Sequence, residues 1–205
     1  MNFKTEQEEF WSGEFGDQYA NRNSSEQIIA GNLNLFSKII SNTTNVESVL
    51  EFGANIGMNL VALKQLLPSS RFTAIEINKS ACEALSKYSW LNVKNESALS
   101  LEMNDKFSFV LSKGLLIHIN PSELNNFYKT IYNTSSKYIC LVEYYNPTPV
   151  EINYRGHSNK LFKRDFAGEM LKMFPDLKLL KYGFSYHLDN NFPQDDLNWF
   201  LMEKQ

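Results

Sequence analysis

The chain has 205 residues, 43% of them hydrophobic and 14% aromatic, with a net charge of −3. That length holds one sizeable core and is short for two, and an acidic balance without a lysine–arginine block argues against nonspecific nucleic-acid binding. Met1–Phe10 is polar and acidic, unlike a secretory leader, no apolar run approaches the roughly 20 residues a bilayer requires, and Cys82 and Cys140 form no C-x-x-C pair and read as buried free thiols. The expectation is one domain over 1–205, without membrane contact and cytoplasmic.

Residues 6–22 predict a helical N-terminal arm, within a lid segment 1–25, and Ser24 with Gln27 offers a capping box for the next helix. That helix carries Ile28, Ile29, Leu33, Phe36, Ile39 and Ile40 on one face. Short runs rich in β-branched or aromatic residues at 48–52, 71–75, 91–95, 107–112 and 137–143 predict strands. Helical patterns separate them: Leu60, Leu63 and Leu67; Ala81, Cys82 and Leu85; then Leu124, Phe127, Tyr128 and Ile131, with Asn120 as N-cap and Pro121 at the first helical position. Residues 144–162 read as an irregular insertion, followed by a helix marked by Phe166, Met170 and Phe174. The runs 177–186 and 197–203 are joined by a turn-rich stretch without a helix, so they should form an antiparallel hairpin. Alternating strands and helices mean an α/β fold with a mostly parallel sheet and helices on both faces. Seven strands ending in such a hairpin resemble the Rossmann-like class I methyltransferase fold.

The most informative run is Ser48 to Asn59, with Glu51 two residues before Gly53 and the spacing Gly53-x-Asn55-x-Gly57. Glycines let the backbone turn sharply and approach a ligand, and Asn55 tolerates the left-handed conformation better than most residues. A pyrophosphate on the following helix N-terminus would be repelled by Glu51. An ammonium and a sulfonium would be welcome there, which points to S-adenosylmethionine. Glu76 lies nineteen residues beyond Gly57 at a strand end, from which a carboxylate can accept ribose hydroxyls. Ile77, Asn59 and Ser97, the last beside an adenine edge, complete the expected cofactor set with Lys113 on the far side. Trp11, Tyr19 and Arg22 of the arm would cover it and exclude water. An [NDS]-P-P-Y motif is absent, which argues against a DNA adenine or glutamine acceptor.

Methyl transfer to an amine needs only a neutral amine, whereas a hydroxyl profits from a general base. The candidates are the three histidines: His118, His187 and, favoured for its polar surroundings after the fifth strand, His157. Tyr144 is a further catalytic candidate. Glu143, Tyr145 and Asn146 would form the acceptor floor with it, and Arg155 and Lys160 could clamp a carboxylate or phosphate; the same basic stretch also reads as a solvated loop. Asp189, Asp195 and Asp196 suit turn chemistry rather than a metal.

Several segments together resemble one family: Glu9-Phe10-Trp11-Ser12-Gly13-Glu14-Phe15-Gly16, the glycine turn, Lys113-Gly114 with His118-Ile119-Asn120-Pro121, Glu143 through Val150, Tyr154-Arg155-Gly156-His157 and Asn190 through Asp196. The resemblance is to the pseudaminic acid biosynthesis-associated methylases and spans nearly the whole chain. It implies methyl transfer from S-adenosylmethionine to an O or N of a small acidic (nonulosonic) sugar or its nucleotide-activated form. The alternatives are a macromolecular acceptor, such as a glycosylated protein or RNA, and a cofactor-binding partner without catalysis.

Overall fold

A computed structural model describes residues 3–22 and 26–205, the side chains of 20–22 excepted. Every residue of β1 (Ser48–Phe52) is buried, as a strand covered by helices on both faces must be. It pairs in parallel with β2 (Arg71–Glu76), Val49 opposite Phe72, and with β4 (Phe107–Lys113), Leu50 opposite Val110. Strand β3 (Leu91–Asn95) extends one side and β5 (Ser135–Glu143) the other. Beyond β5 comes the antiparallel β9 (Leu197–Lys204), and at the edge β8 (Leu177–Ser185) pairs antiparallel with β9. The seven-stranded order is β3-β2-β1-β4-β5-β9-β8, the mostly parallel sheet with a C-terminal hairpin that the sequence predicts.

Pleating sorts β1 between two cores. Val49 joins Leu35 and Phe36 of α3 (Glu26–Ile40), Leu60 and Leu63 of α4 (Met58–Leu66) and Leu85 of α5 (Lys79–Leu85). Leu50 and Phe52 face the opposite side with Phe127 and Tyr128 of α6 (Leu124–Thr134) and Met170 of α7 (Phe166–Met173). Phe52 and Phe127 meet edge to face at 5.3 Å. Each such fully buried side chain contributes about 1.5–3 kcal/mol. The chain winds from β1 outward through β2 and β3, then crosses back to β4 on the other side of β1. This reversal opens a crevice at the carboxyl ends of β1 and β4.

Three local expectations need correction. The arm is two helices, α1 (Glu6–Ser12) and α2 (Glu14–Arg22), because Gly13 ends the first and lets the chain turn. Thr5 caps α1 in a capping box with Glu8, whereas the Ser24 cap lies outside the described residues. Residues 144–162 are not wholly irregular: β6 (Val150–Tyr154) and β7 (His157–Lys163) form a separate antiparallel hairpin. Its two turn residues, Arg155 and Gly156, both have positive φ, 52° and 86°, the requirement of a two-residue hairpin turn; an arginine in that conformation conceals the signal. Finally, Asn120 caps only a lead-in turn, accepting from the Ser122 N–H at 3.0 Å, and α6 itself starts at Leu124.

The turn joining β1 to α4 is left-handed at Gly53 (φ 67°), Asn55 (48°) and Gly57 (86°). A Cβ on Gly57 would also lie 2.7 Å from a Leu85 methyl. Asn55→Gly should therefore leave unfolding in urea within about 0.5 kcal/mol of wild type, while Asn55→Val should cost about 1–2 kcal/mol.

Candidate active site

The crevice is a cavity of about 690 Å³, lined by the β1–α4 turn, the ends of β2 and β4, the arm, and the loop between β8 and β9. Gly53, Ala54, Asn55 and Ile56 of the glycine turn are among the lining. Gly53 N–H donates to the Ile75 carbonyl at 2.8 Å, and Glu76 takes the Asn55 N–H at 2.7 Å and the Asn78 N–H at 2.8 Å. Burial raises the Glu76 carboxyl above its ordinary range, against the pull of these backbone bonds.

Glu51 is completely buried. Its Oε1 accepts from Asn59 Nδ2 at 2.7 Å, because Asn59 sits in the first turn of α4 directly above it. Its Oε2 is buried without a partner. Burial pushes the carboxyl up to about 8, opposed by the Asn59 bond and by the charge of Lys113. Lys113, at the end of β4, is itself lowered by burial and held up by Glu51, Asp195 and Glu143.

The arm roofs the cavity. Trp11 lines it with its Nε1 buried and unpartnered, its ring 5.3 Å from Tyr19 and 4.5 Å from His118. Glu8 accepts from the Ser97 hydroxyl, Asp17 from Asn78 Nδ2 at 2.9 Å, and Gln7 donates to the Asn159 carbonyl of β7 at 2.9 Å. Ile77, Ser97, Asn59 and Lys113 all line the cavity with the turn residues Gly53 and Asn55 and with Glu76; Gly57 shapes the turn behind them. The Arg22 side chain falls outside the described residues.

The lining also includes Tyr144, Tyr154, Arg155, His187, Asn32 and Gln194. Burial and the nearby Asp195 carboxylate raise the Tyr144 pKa. His187 meets both oxygens of Asp196, at 2.8 and 2.9 Å from Nδ1. The carboxylate can only accept, so Nδ1 carries a proton, which leaves Nε2 as the lone-pair nitrogen of the neutral ring.

Most of the other expected residues stand apart from this cavity. His157 is exposed on β7, its ring 5.0 Å from Phe10 and 5.9 Å from Phe15, and does not line the site. His118 does line it, but Nδ1 donates to the Lys160 carbonyl at 2.6 Å and burial lowers its pKa to about 4, so it is neutral and a weak base. Glu143 lies beneath the floor: its Oε1 accepts from Ser112 Oγ and the Leu115 and Leu116 N–H groups at 3.0–3.1 Å, and burial raises it to about 7. Tyr145 turns outward, 41% exposed, and Asn146 Nδ2 donates to the Thr148 carbonyl at 2.6 Å. Lys160 pairs with Glu6 at 3.3 Å, fastening hairpin to arm rather than meeting a ligand. Asp189 caps its own turn, accepting from the Asn191 and Phe192 N–H groups. The sequence reading passes over Asn32 and Gln194; the signal for the first was an amide interrupting the apolar stripe of α3 between Ile28 and Phe36.

No protein-family model matches the chain, and no curated protein does. Solved structures do. The magnesium protoporphyrin IX methyltransferase of Synechocystis PCC 6803 with bound S-adenosylmethionine is 11% identical, with a TM-score of 0.70 over 100% of both chains. The fold is that of the S-adenosylmethionine-dependent methyltransferases. A methyltransferase of that class from Clostridium acetobutylicum is 12% identical, with a TM-score of 0.64 over 93% of this chain and 97% of that one. The 1,6-didemethyltoxoflavin-N1-methyltransferase of Burkholderia thailandensis, solved with S-adenosylhomocysteine and its acceptor, is 12% identical with a TM-score of 0.70, covering 97% and 87%.

The raised Glu51 pKa sets a pH dependence. A folded-state value of about 8 against an ordinary 4.5 means the folded protein binds the extra proton between these limits, so this group's contribution is complete below about pH 4.5 and fades as pH rises through 8. Glu51→Gln, which keeps the Asn59 bond and removes the charge, should flatten the fall in stability between pH 5.5 and 8 and gain at least about 1 kcal/mol at pH 8, read by urea unfolding at both pH values.

Proposed function

We propose that the protein is an S-adenosylmethionine-dependent methyltransferase acting on an O or N of a small acidic sugar of the nonulosonic class, pseudaminic acid among them, or its nucleotide-activated form, in the cytoplasm. The observation that carries the reading is the unpartnered, buried Glu51 Oε2 beside a bare left-handed turn, in a fold shared with structures that hold this cofactor. A buried carboxylate lacking a donor fits a cationic ligand, and Gly53 and Asn55 of the turn line the cavity. When bound, S-adenosylmethionine supplies a methyl carbon already activated by its sulfonium.

The chain's own residues would then do the following. Glu51, losing its proton as a cation arrives, would hold the ammonium end. Glu76 keeps further lone pairs for the ribose hydroxyls, and Ile77 and Ser97 would border the adenine. Trp11 and Tyr19, with Arg22 of the same arm, would close over the cofactor, orienting it and excluding water. Tyr144 and Arg155 would position the acceptor, and the arginine suits an acidic one. The base passes from His157 to His187, whose Nε2 would take a hydroxyl proton while Asp196 steadies the imidazolium. A roof of arm residues over the cavity favours a small acceptor over a macromolecule.

Calorimetry with S-adenosylmethionine and S-adenosylhomocysteine tests the cofactor reading: Glu76→Ala should weaken both by roughly 10- to 100-fold, the loss of hydrogen bonds to a charged group. Unchanged affinity would remove Glu76 from the site. Transfer of labelled methyl to a panel of nonulosonic acids, their nucleotide forms and peptide acceptors tests the rest. His187→Ala should slow transfer to a hydroxyl about 100-fold or more without altering cofactor affinity, and cofactor binding with no transfer to any acceptor would leave a binding partner rather than an enzyme.

A further inference from the structure

Asn32 of α3 is 1% exposed yet lines the cavity. Its Oδ1 accepts from Gln194 Nε2 at 2.9 Å, which leaves Asn32 Nδ2 and Gln194 Oε1 both buried and unpartnered. Turning both amides over exchanges the two side chains' roles and leaves the same remainder, one donor and one acceptor. Unpaired buried polar groups of this kind are costly and uncommon. The seat is also built for Gln194: Gly31 lies beneath it, and a Cβ there would come 3.0 Å from Gln194 Nε2. Neighbouring Asp195 acts on Tyr144, so the pair lies near the tyrosine that the proposed function assigns to positioning the acceptor.

We infer that Asn32 and Gln194 form a subsite for a neutral carboxamide of the acceptor, such as an acylamino substituent. This deepens the methyltransferase reading and rests on it. An amide supplies a carbonyl for the unpaired donor and an N–H for the unpaired acceptor, from two atoms to two side chains. A carboxylate would set oxygen against the free carbonyl, and an ammonium would set protons against the free NH₂. A hydroxyl must serve both from one oxygen. The acid of an acidic acceptor therefore belongs elsewhere, with Arg155 the cation at hand.

The experiment is calorimetry on the full chain saturated with S-adenosylhomocysteine, titrated with N-acetylneuraminate and with its analogue carrying hydroxyl in place of the acetamido group. Wild type should bind the acetamido sugar about tenfold or more tightly than the hydroxyl sugar. Asn32→Asp keeps the bond to Gln194 and the size of the side chain but offers no donor, so the preference should vanish while S-adenosylhomocysteine binds as before; Gln194→Leu should do the same. Equal affinity for the two sugars, no binding of either to the cofactor-loaded protein, or a preference that survives Asn32→Asp would overturn the subsite. Failure of wild type to bind S-adenosylhomocysteine would instead sink the methyltransferase reading, and the subsite with it.

Discussion

The carboxylate of Glu76 ties the working end of the molecule together. It accepts the Asn55 N–H from one loop and the Asn78 N–H from another, so the end of β2 holds the left-handed turn after β1 in place. The positive φ of Asn55, between two glycines of positive φ, is unfavourable unless its surroundings fix it. Here the fixing groups are the Glu76 oxygens and the Ile75 carbonyl, which takes the Gly53 N–H. Because the turn is held in this way, α4 starts where Asn59 can reach Glu51, and the cavity has a bare backbone floor.

A set of coupled charges runs across that floor. Lys113 feels Glu51, Asp195 and Glu143. Each acid is buried or hydrogen-bonded in its own manner, and only Glu51 and Glu143 keep a buried oxygen without a partner. Their difference lies in position: Glu143 already spends its other oxygen on three donors from the β4 loop, and it stabilises that loop. Glu51 has a single donor, Asn59, and it is Asn59 rather than the carboxyl itself that lines the cavity.

The arm and the β6–β7 hairpin close the cavity jointly. Glu6 meets Lys160, Gln7 meets the Asn159 carbonyl, and Phe10 and Phe15 pack on His157. Lys160, His157 and Asn159, polar residues that look available in the sequence, are thus occupied in joining two covers. The ion pair, half-exposed on its Glu6 side, contributes modestly by itself; the aromatic contacts and the bond of buried Gln7 carry more of the attachment.

Local chemistry decided much of this protein. Strand and helix alternation, the spacing of Glu51, Gly53, Asn55, Gly57 and Glu76, and the absence of a helix before the last strand determined the sheet and its turn, because backbone geometry and hydrophobic period act over a few residues. Asn55 was legible as a left-handed position for the same reason. Which side chains meet was not. Tyr144 and Tyr145 are chain neighbours just past the end of β5, one lining the cavity and one turned outward. His157 and His187 look alike in sequence, yet the hairpin carries the first onto the arm while the β8–β9 loop sets the second against Asp196 at the cavity. Asn32 and Gln194 are 162 positions apart, so their contact, and the unpaired donor and acceptor it leaves, belong to tertiary structure alone: only folding brings two distant amides together and withholds water from them.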